Sequence, residues 1–376
     1  LSGKTCMLQN IVYGITQLYS PQEVNLYIMD FASMILKNFA SMNHVGGVIV
    51  NGEDDKLKNF LKMIKEMIVS RKEFLSKKGL SSFSSYRESG EKELPQIIIL
   101  LDNWISFKNN YADYAEMLIE LVRDSVSVGI SFVMTASQGG GIGFKLLASF
   151  NKRIALYCND SGDYATLYEH NRMKPDSIPG RGIAEINRTF YECQYYISFA
   201  AAKEFERVHL IREYIAHINK RYDKLHAKGI PVVPEQVTEE FLVHEFGENQ
   251  IGNYDAFLGM EYNSIEPRRL LMSKLAFMNF IGGNKALRTQ YTKYLVERVI
   301  QRMNIYPAKL YICDDEEGSL KDCASKAEFY STKASEAGDM LNAVYDLLEE
   351  RKNELQKIDI NVLPFVYVVI NSPEAI

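Results

Sequence analysis

The sequence lacks the features that mark several common functional classes. It has no dense run of lysine and arginine, its formal net charge is −5 and its pI is about 5.8. A basic surface that tracks nucleic acid is therefore not indicated. The five cysteines form no CxxC pair and no histidine-rich spacing, which argues against a disulfide framework or a zinc site. The longest apolar runs have strand length and fall short of the roughly 20 residues that cross a membrane.

The composition that is present is that of a globular protein with α/β architecture. The chain has 376 residues, of which 47% are apolar and 24% charged, and at roughly 100–200 residues per domain this favours two domains. Apolar strands alternate with amphipathic helices, which predicts mostly parallel sheets covered on both faces. Strands are predicted near 24–30, 47–50, 96–102, 130–136 and 153–157, followed by a hairpin over 180–199 and a long helix over 202–228.

An internal repeat gives the domain organisation. The same 25-residue interval separates Thr5 from Asp30 and Thr289 from Asp314, and each interval holds a helical stretch and then an apolar strand. A Leu-Pro pair precedes Asp102 by eight residues, and another precedes Asn371 by eight. Shared landmarks in the same order indicate duplication. We predict a first domain over 1–240, with a linker near its end, and a second over 241–376.

The first copy opens with part of a phosphate-binding motif. Its Gly3-Lys4-Thr5 matches the end of G-x-x-x-x-G-K-[ST], so we expect the first glycine of the loop to precede residue 1. In such loops backbone N–H groups at a helix N-terminus face the phosphates, the lysine reaches their oxygens and the hydroxyl binds Mg²⁺. We therefore predict that Ser2–Cys6 bind ATP and that Thr5 binds Mg²⁺. The alternative is a capped helix start.

Asp102 ends the apolar strand Ile97–Leu101, where a carboxylate would hold Mg²⁺ through water. The alternative for Asp102 is a cap on the following helix. Many translocating ATPases have a glutamate at the next position to activate the attacking water. Asn103 stands there instead, and it can orient a water but cannot accept its proton. We predict slow hydrolysis.

Further candidates follow the next two strands. Gln138 leaves the strand that begins at Ile130 and is our candidate for sensing the γ-phosphate, with an ordinary strand-end amide as the alternative. The glycines after it predict a mobile loop. Arg153 or Arg181 could act as an arginine finger toward a neighbouring subunit; a surface or salt-bridged arginine is the alternative for each. Asp30 is expected to be structural, because both copies keep it.

The second copy has lost this chemistry at three positions. Leu287 replaces the second glycine of the loop, Arg288 replaces the lysine, and Asn371 replaces the Mg²⁺ carboxylate. Arginine does not substitute for lysine at such a site. We expect this copy not to turn over ATP and to be incomplete at residue 376. The predicted degenerate site consists of Gly282, Lys285, Leu287, Arg288, Thr289 and Asn371.

Several segments resemble the FtsK/SpoIIIE ATPases, namely Lys4–Gln9, Leu26–Phe31, Leu100–Asn103, Thr135–Gln138 and Arg153–Tyr157. More closely, the whole chain resembles the C-terminal tandem ATPase modules of EssC-type type VII secretion motors. The fold implied is a tandem of P-loop NTPase (RecA-like) domains, the second degenerate. The resemblance implies a cytoplasmic segment of a membrane-anchored, ring-forming motor. It also implies WXG-class secreted substrates and other membrane components of the system as partners.

Three functions remain open on this basis. The chain could be an ATP-binding segment that drives protein export, an FtsK-like DNA translocase, or a non-catalytic platform that recruits substrate. The acidic balance counts against DNA, because neutralisation of phosphates drives such binding. We also expect Leu287 and Ala286 to offer apolar surface for a substrate peptide, with Lys285 and Arg288 pairing with an acidic residue on it. The alternative is a filled, inert pocket.

Overall fold

The computed structural model describes residues 2–168, 171, 173–234, 236–247, 255–262, 265–271, 277–354 and 363–371. The chain divides into two compact units, residues 1–232 and 233–376. Both contain a parallel sheet with helices, so the predicted α/β class is confirmed. Within the described residues, no helix combines the length and apolar content needed to cross a membrane.

The first unit alternates helices and strands. Its elements are α1 (Lys4–Leu18), β1 (Val24–Asp30), β2 (Val45–Val50), α2 (Asp54–Lys77), α3 (Phe83–Glu88), β3 (Gln96–Asp102), α4 (Trp104–Asn110), α5 (Ala112–Ser125), β4 (Ile130–Met134), α6 (Phe144–Leu147), β5 (Ile154–Leu156), α7 (Gly162–Leu167), β6 (Arg181–Ile186), β7 (Thr189–Gln194) and α8 (Glu204–Arg221).

Four of these strands form the central sheet in the order β2-β1-β3-β4, and all neighbours are parallel. Every residue of β1 is buried, as expected for a strand covered on both faces. One apolar cluster packs α2, α4 and α5 on one face, and another packs α1 and α8 on the other. Because the strands are parallel, their carboxyl ends meet at one edge of the sheet.

Two predictions about the first unit are wrong in part. The strand predicted over 153–157 forms β5, but it pairs antiparallel with β6, which pairs with β7 in a separate sheet. The helix predicted over 202–228 ends at Arg221. The chain after it bonds to the loop before β2 and to β2 itself: Ala227 N–H donates to the Asn43 carbonyl (2.7 Å) and Ile230 N–H to the Gly46 carbonyl (3.0 Å). These tertiary bonds replace further helical ones.

The second unit repeats part of this plan. Its elements are α9 (Glu239–Phe246), β8 (Asp255–Met260), β9 (Pro267–Leu271), α10 (Lys285–Arg302), β10 (Ala308–Cys313), β11 (Phe329–Ser331), α11 (Ala337–Glu354) and β12 (Phe365–Ile370). The order β11-β10-β12 is parallel, whereas β8 and β9 form an antiparallel pair.

The duplication is visible in matching hydrogen bonds. The strand orders β2-β1-β3 and β11-β10-β12 correspond. In the first unit the Asp30 carboxylate accepts from the N–H of Leu36, six residues on (2.9 Å). In the second, Asp314 accepts from the N–H of Leu320, also six residues on (2.6 Å). Asp30 and Asp314 thus hold the same turn in both copies, which confirms their structural role.

A buried histidine makes the stability of the first unit depend on pH. The His44 ring lies against Tyr222, its Nε2 donates to the Tyr19 carbonyl (2.8 Å), and its buried Nδ1 has no partner within the part of the chain that the structure describes. Burial lowers the pKa of His44, and the bond to Tyr19 opposes this only partly. The folded state therefore keeps the ring neutral at a pH where the unfolded chain binds a proton.

We expect the free energy of unfolding to fall as the pH drops below about 6.5, by at most about 1.4 kcal/mol per pH unit from this group. Urea unfolding at pH 7.5 and 5.5 measures the change. His44→Gln should flatten the dependence, whereas substitution of the exposed His209 should not. An unchanged slope in His44→Gln would show that the ring is not the cause.

Candidate functional site

The carboxyl ends of β3 and β4 meet the N-terminus of α1 around a single carboxylate. Asp102, at the end of β3, is 1% exposed. Its Oδ2 accepts a hydrogen bond from the Thr5 hydroxyl (2.6 Å) and its Oδ1 accepts one from the Thr135 hydroxyl (2.5 Å). The structure thus brings together Thr5 and Asp102, the two residues that the sequence assigns to Mg²⁺.

The N-terminus of α1 leaves its backbone donors available. Gly3 precedes the helix with φ 100°, and no side chain caps the first turn. This conformation is easy for glycine and strained for other residues. The Lys4 ammonium donates to the Ser2 hydroxyl (3.1 Å), and the Ser2 carbonyl accepts from the N–H of Gly180 (3.2 Å). An uncapped helix N-terminus with an adjacent lysine is suited to binding phosphate.

The donor set at this site suits Mg²⁺. A hydroxyl and a carboxylate are hard oxygen ligands, and Mg²⁺ is commonly held by one or two such groups together with phosphates and water. Thr5 and Asp102 are the residues that would hold the ion, and the ion would neutralise charge on the phosphates. Cys6, also predicted to bind nucleotide, lies next to Thr5 with its sulfur 3.9 Å from the Arg207 guanidinium.

Asn103 has a backbone reason for its identity. Its φ is 75°, in the left-handed region, which asparagine tolerates better than most residues. Its side-chain oxygen accepts from the N–H of Ser106 (3.4 Å) and so caps α4. The capping role that the sequence offered as the alternative for Asp102 is therefore filled by its neighbour.

We expect Asn103→Ala to lower the free energy of unfolding of the first unit by about 2 kcal/mol, because it loses the cap and strains the backbone. Asn103→Gly should lower it by only about 0.5 kcal/mol, since glycine accepts the positive φ. Denaturant unfolding followed by Trp104 fluorescence measures both. Equal losses would contradict the backbone explanation.

Gln138 is exposed within the loop 135–143, which joins β4 to α6. The loop is anchored rather than free along its length: the N–H of Gly139 donates to the Asp163 carboxylate (2.6 Å), and a side chain on Gly141 would collide with Ile105. Gly139 and Gly141 are thus explained by close packing, and Gly143 by its φ of 82°. Asp163 belongs to none of the motifs that the sequence shows.

The two candidate arginine fingers are used within their own unit. Arg153 donates to three backbone carbonyls, those of Phe150 (2.9 Å), Leu167 (2.9 Å) and Leu147 (3.1 Å). Arg181 donates to Gln194 (2.8 Å) and Glu192 (3.2 Å). These contacts correspond to the structural alternative, and the catalytic role of Arg153 stays a prediction. Three of the five N–H donors of Arg153 are already bonded to local carbonyls.

In the second unit a turn of helix occupies the position of the phosphate loop. Aligning Thr289 with Thr5 matches Leu287 to Gly3, yet α10 already begins at Lys285. Asn284 caps it by accepting from the N–H of Leu287 (3.1 Å). The backbone donor that would face phosphate is therefore already bonded. Leu287 is 62% exposed on this turn, so it offers apolar surface and does not fill a pocket, which was the alternative.

The charged side chains of the degenerate site are also engaged. Lys285 forms ion pairs with Asp315 (3.4 Å) and Glu317 (3.1 Å), and Arg288 donates to the Gly282 carbonyl. The pairing of these cations with an acidic substrate residue stays a prediction, and it would compete with these local contacts. Asn371 donates its amide to the Asp314 carboxylate (2.9 Å), a bond that a carboxylate at 371 could not make.

The first unit has a P-loop α/β fold. Residues 1–182 match the model of the FtsK/SpoIIIE family. The chain is 23% identical to the ESX secretion system protein EccC of Geobacillus thermodenitrificans and 19% identical to the type VII secretion system protein EssC of Staphylococcus aureus, over 94% and 95% of its length. It spans 24% of each relative.

Solved structures show the same fold. EssC (ATPases 2 and 3) of Geobacillus thermodenitrificans superposes with a TM-score of 0.84 at 22% identity, over 98% of this chain and 70% of that one. Thermomonospora curvata EccC (ATPases 2 and 3), in complex with a signal sequence peptide, gives 0.61 at 18% identity, over 98% and 68%. The resemblance to FtsK/SpoIIIE and type VII secretion ATPases is confirmed.

Proposed function

We propose that this chain is the cytoplasmic ATP-binding segment of a membrane-bound type VII secretion motor. In this proposal nucleotide binding by the first unit is coupled to export of WXG-class proteins. The observation that carries it is the pairing of Thr5 with Asp102 beneath an uncapped helix N-terminus that also bears Lys4. The type VII secretion proteins among its relatives supply the context.

The first unit would bind ATP with Mg²⁺ and hydrolyse it slowly on its own. Lys4 would contact the phosphate oxygens, and the N–H groups of the first turn of α1 would surround them. Asn103 cannot accept a proton from water, and Arg153 and Arg181 already bond to groups of their own unit. Fast turnover would therefore require groups from a neighbouring subunit in a ring, or from another component of the system.

The second unit would act as a platform that recruits substrate. The residues in the position of its phosphate loop form the first turn of α10, which Asn284 caps, and this argues against phosphate binding. Phe277, Ile281 and Leu287, at and before this loop, are 83%, 92% and 62% exposed, and an amphipathic helix needs apolar anchors of this kind. The relative from Thermomonospora curvata was solved with a signal sequence peptide. Because Lys285 and Arg288 are engaged, apolar contacts would supply the affinity.

A secretion assay tests the proposal in cells that depend on this protein. Lys4→Ala should reduce the WXG-class protein in the medium at least about tenfold, while Arg288→Ala should export normally. In a separate binding assay, Leu287→Ser should weaken the binding of a labelled C-terminal peptide of that substrate. Normal export by Lys4→Ala would favour the non-catalytic platform, and tight binding of duplex DNA at low salt would favour the DNA translocase instead. Equal peptide affinity in Leu287→Ser would leave an inert surface at that loop.

A further inference from the structure

We propose that Thr135 is a positioning residue that sets the orientation of the Mg²⁺-binding carboxylate of Asp102. This inference rests on the proposed nucleotide-binding function. Thr135 directly follows β4, and its hydroxyl lies between the carboxylate of Asp102 and the backbone of Asn103. It therefore joins the proposed metal ligand to the residue that follows it.

The direction of each hydrogen bond follows from the donors present. The backbone N–H of Asn103 can only donate, so the Thr135 oxygen accepts there (2.9 Å). A hydroxyl carries one proton, and that proton is therefore directed to Asp102 Oδ1 (2.5 Å). The contact with the carboxylate is a charge-assisted hydrogen bond, which is shorter and stronger than a neutral one.

This bond distinguishes the two oxygens of Asp102. Oδ1 is held by Thr135, whereas Oδ2 faces the Thr5 hydroxyl at the start of α1. Oδ2 is thus the oxygen on the side where phosphates and Mg²⁺ would lie. Without the Thr135 hydroxyl, the carboxylate could rotate about its side-chain torsion, and its better-placed oxygen would no longer be fixed toward the ion.

The neighbouring carboxylate makes such fixation necessary. Asp30 lies directly beside Asp102 in the sheet register and is held by the N–H groups of Ala32 and Leu36. Two carboxylates this close repel each other when both are ionised. Two hydroxyl donors, from Thr5 and Thr135, offset this repulsion at Asp102. In the second unit no such arrangement is needed, because Asn371 is neutral and donates to Asp314.

The backbone around Thr135 allows the hydroxyl to be removed cleanly. Its N–H donates to the Leu101 carbonyl (2.9 Å), and its carbonyl accepts from the N–H of Trp104 (2.8 Å). Both bonds are independent of the side chain. Thr135→Val therefore keeps the shape and these two backbone bonds. It deletes the hydroxyl and with it the acceptor for the Asn103 N–H, whereas Thr135→Ser keeps both.

The experiment measures the Mg²⁺ concentration that half-saturates ATP binding in the full-length protein. Loss of a group that orients a metal ligand typically lowers the affinity for the metal 10- to 100-fold. We expect Thr135→Val to raise the half-saturating Mg²⁺ concentration about tenfold, with Thr135→Ser close to wild type. Affinity for ATP in excess EDTA should be the same in all three, which separates metal orientation from general disruption of the site. If Thr135→Val does not fold, Thr135→Ala replaces it.

The outcomes separate this inference from the proposed function. An unchanged Mg²⁺ dependence in Thr135→Val, or an equal loss in Thr135→Ser, overturns the role of the hydroxyl. A parallel loss of ATP affinity in EDTA also overturns it, because that pattern belongs to a structural residue. If Lys4→Ala binds ATP as tightly as wild type, the nucleotide site itself is wrongly assigned.

Discussion

Replacing Lys4 with alanine should weaken ATP binding roughly 10- to 100-fold, the range expected for losing a charged hydrogen bond to a phosphate. Lys4 begins α1, next to the uncapped N–H groups that would surround the phosphates. Among the residues that the structure describes, its ammonium donates only to the Ser2 hydroxyl. A nucleotide would therefore displace a weak local contact rather than a buried ion pair. Anisotropy of a fluorescent ATP analogue measures the change.

Arg288→Ala is the matched control, since Arg288 occupies the position of Lys4 in the second unit. It donates to the carbonyl of Gly282 from a loop that has become helical, so its removal should leave nucleotide affinity unchanged. Lys4→Ala with wild-type affinity would mean that Gly3-Lys4-Thr5 is only a helix start. Loss of affinity in Arg288→Ala would mean that the second unit also binds nucleotide.

Restoring a carboxylate in the second unit should destabilise it. Asn371→Asp removes the amide that donates to the fully buried Asp314 and adds a second negative charge next to it. We expect the free energy of unfolding of this unit to fall by about 3 kcal/mol, as when a buried charge loses its partner. Repulsion disfavours the joint ionisation of two adjacent carboxylates, so the loss is present at neutral pH and shrinks as the pH falls and a proton is shared.

Hydrogen exchange can follow this change in the second unit alone. The N–H of Leu320 donates to Asp314 (2.6 Å), so its exchange should become faster in Asn371→Asp at pH 7 and approach wild type at acidic pH. Trp104 is the only tryptophan of the chain and lies in the first unit. The unfolding transition of that unit, followed by Trp104 fluorescence, should therefore match wild type. Asn371→Ala, which removes the amide without adding charge, should show a smaller effect without the pH dependence. Unaltered exchange in Asn371→Asp would contradict the account of this site.

The sequence predicted those parts of the site that depend on local pattern. Thr5 and Asp102 are 97 residues apart, yet each belongs to a motif whose place in a parallel sheet is known, so their contact could be foreseen. The partners of Arg153, Lys285 and Arg288 could not be foreseen, because these partners are carbonyls and carboxylates that folding brings close. Such contacts have no fixed spacing along the chain.

The helical turn at the second loop has a signal in the sequence. Asparagine is a preferred helix N-cap, and Asn284 directly precedes three residues that can form a first turn. Residues 282–289 fit both a degenerate phosphate loop and a capped helix start. The role of Thr135 was hidden for another reason: a threonine after an apolar strand is common, and only the distance to Asp102 makes it informative.

We propose that the first unit binds nucleotide and that the second unit has lost this ability. Counting nucleotide sites by equilibrium titration of the full-length protein, in wild type, Lys4→Ala and Arg288→Ala, tests it most directly. Lys4→Ala should remove one Mg²⁺-dependent site per chain, and Arg288→Ala should remove none. A site that disappears with Arg288, or a site count that does not change with Lys4, would contradict the account.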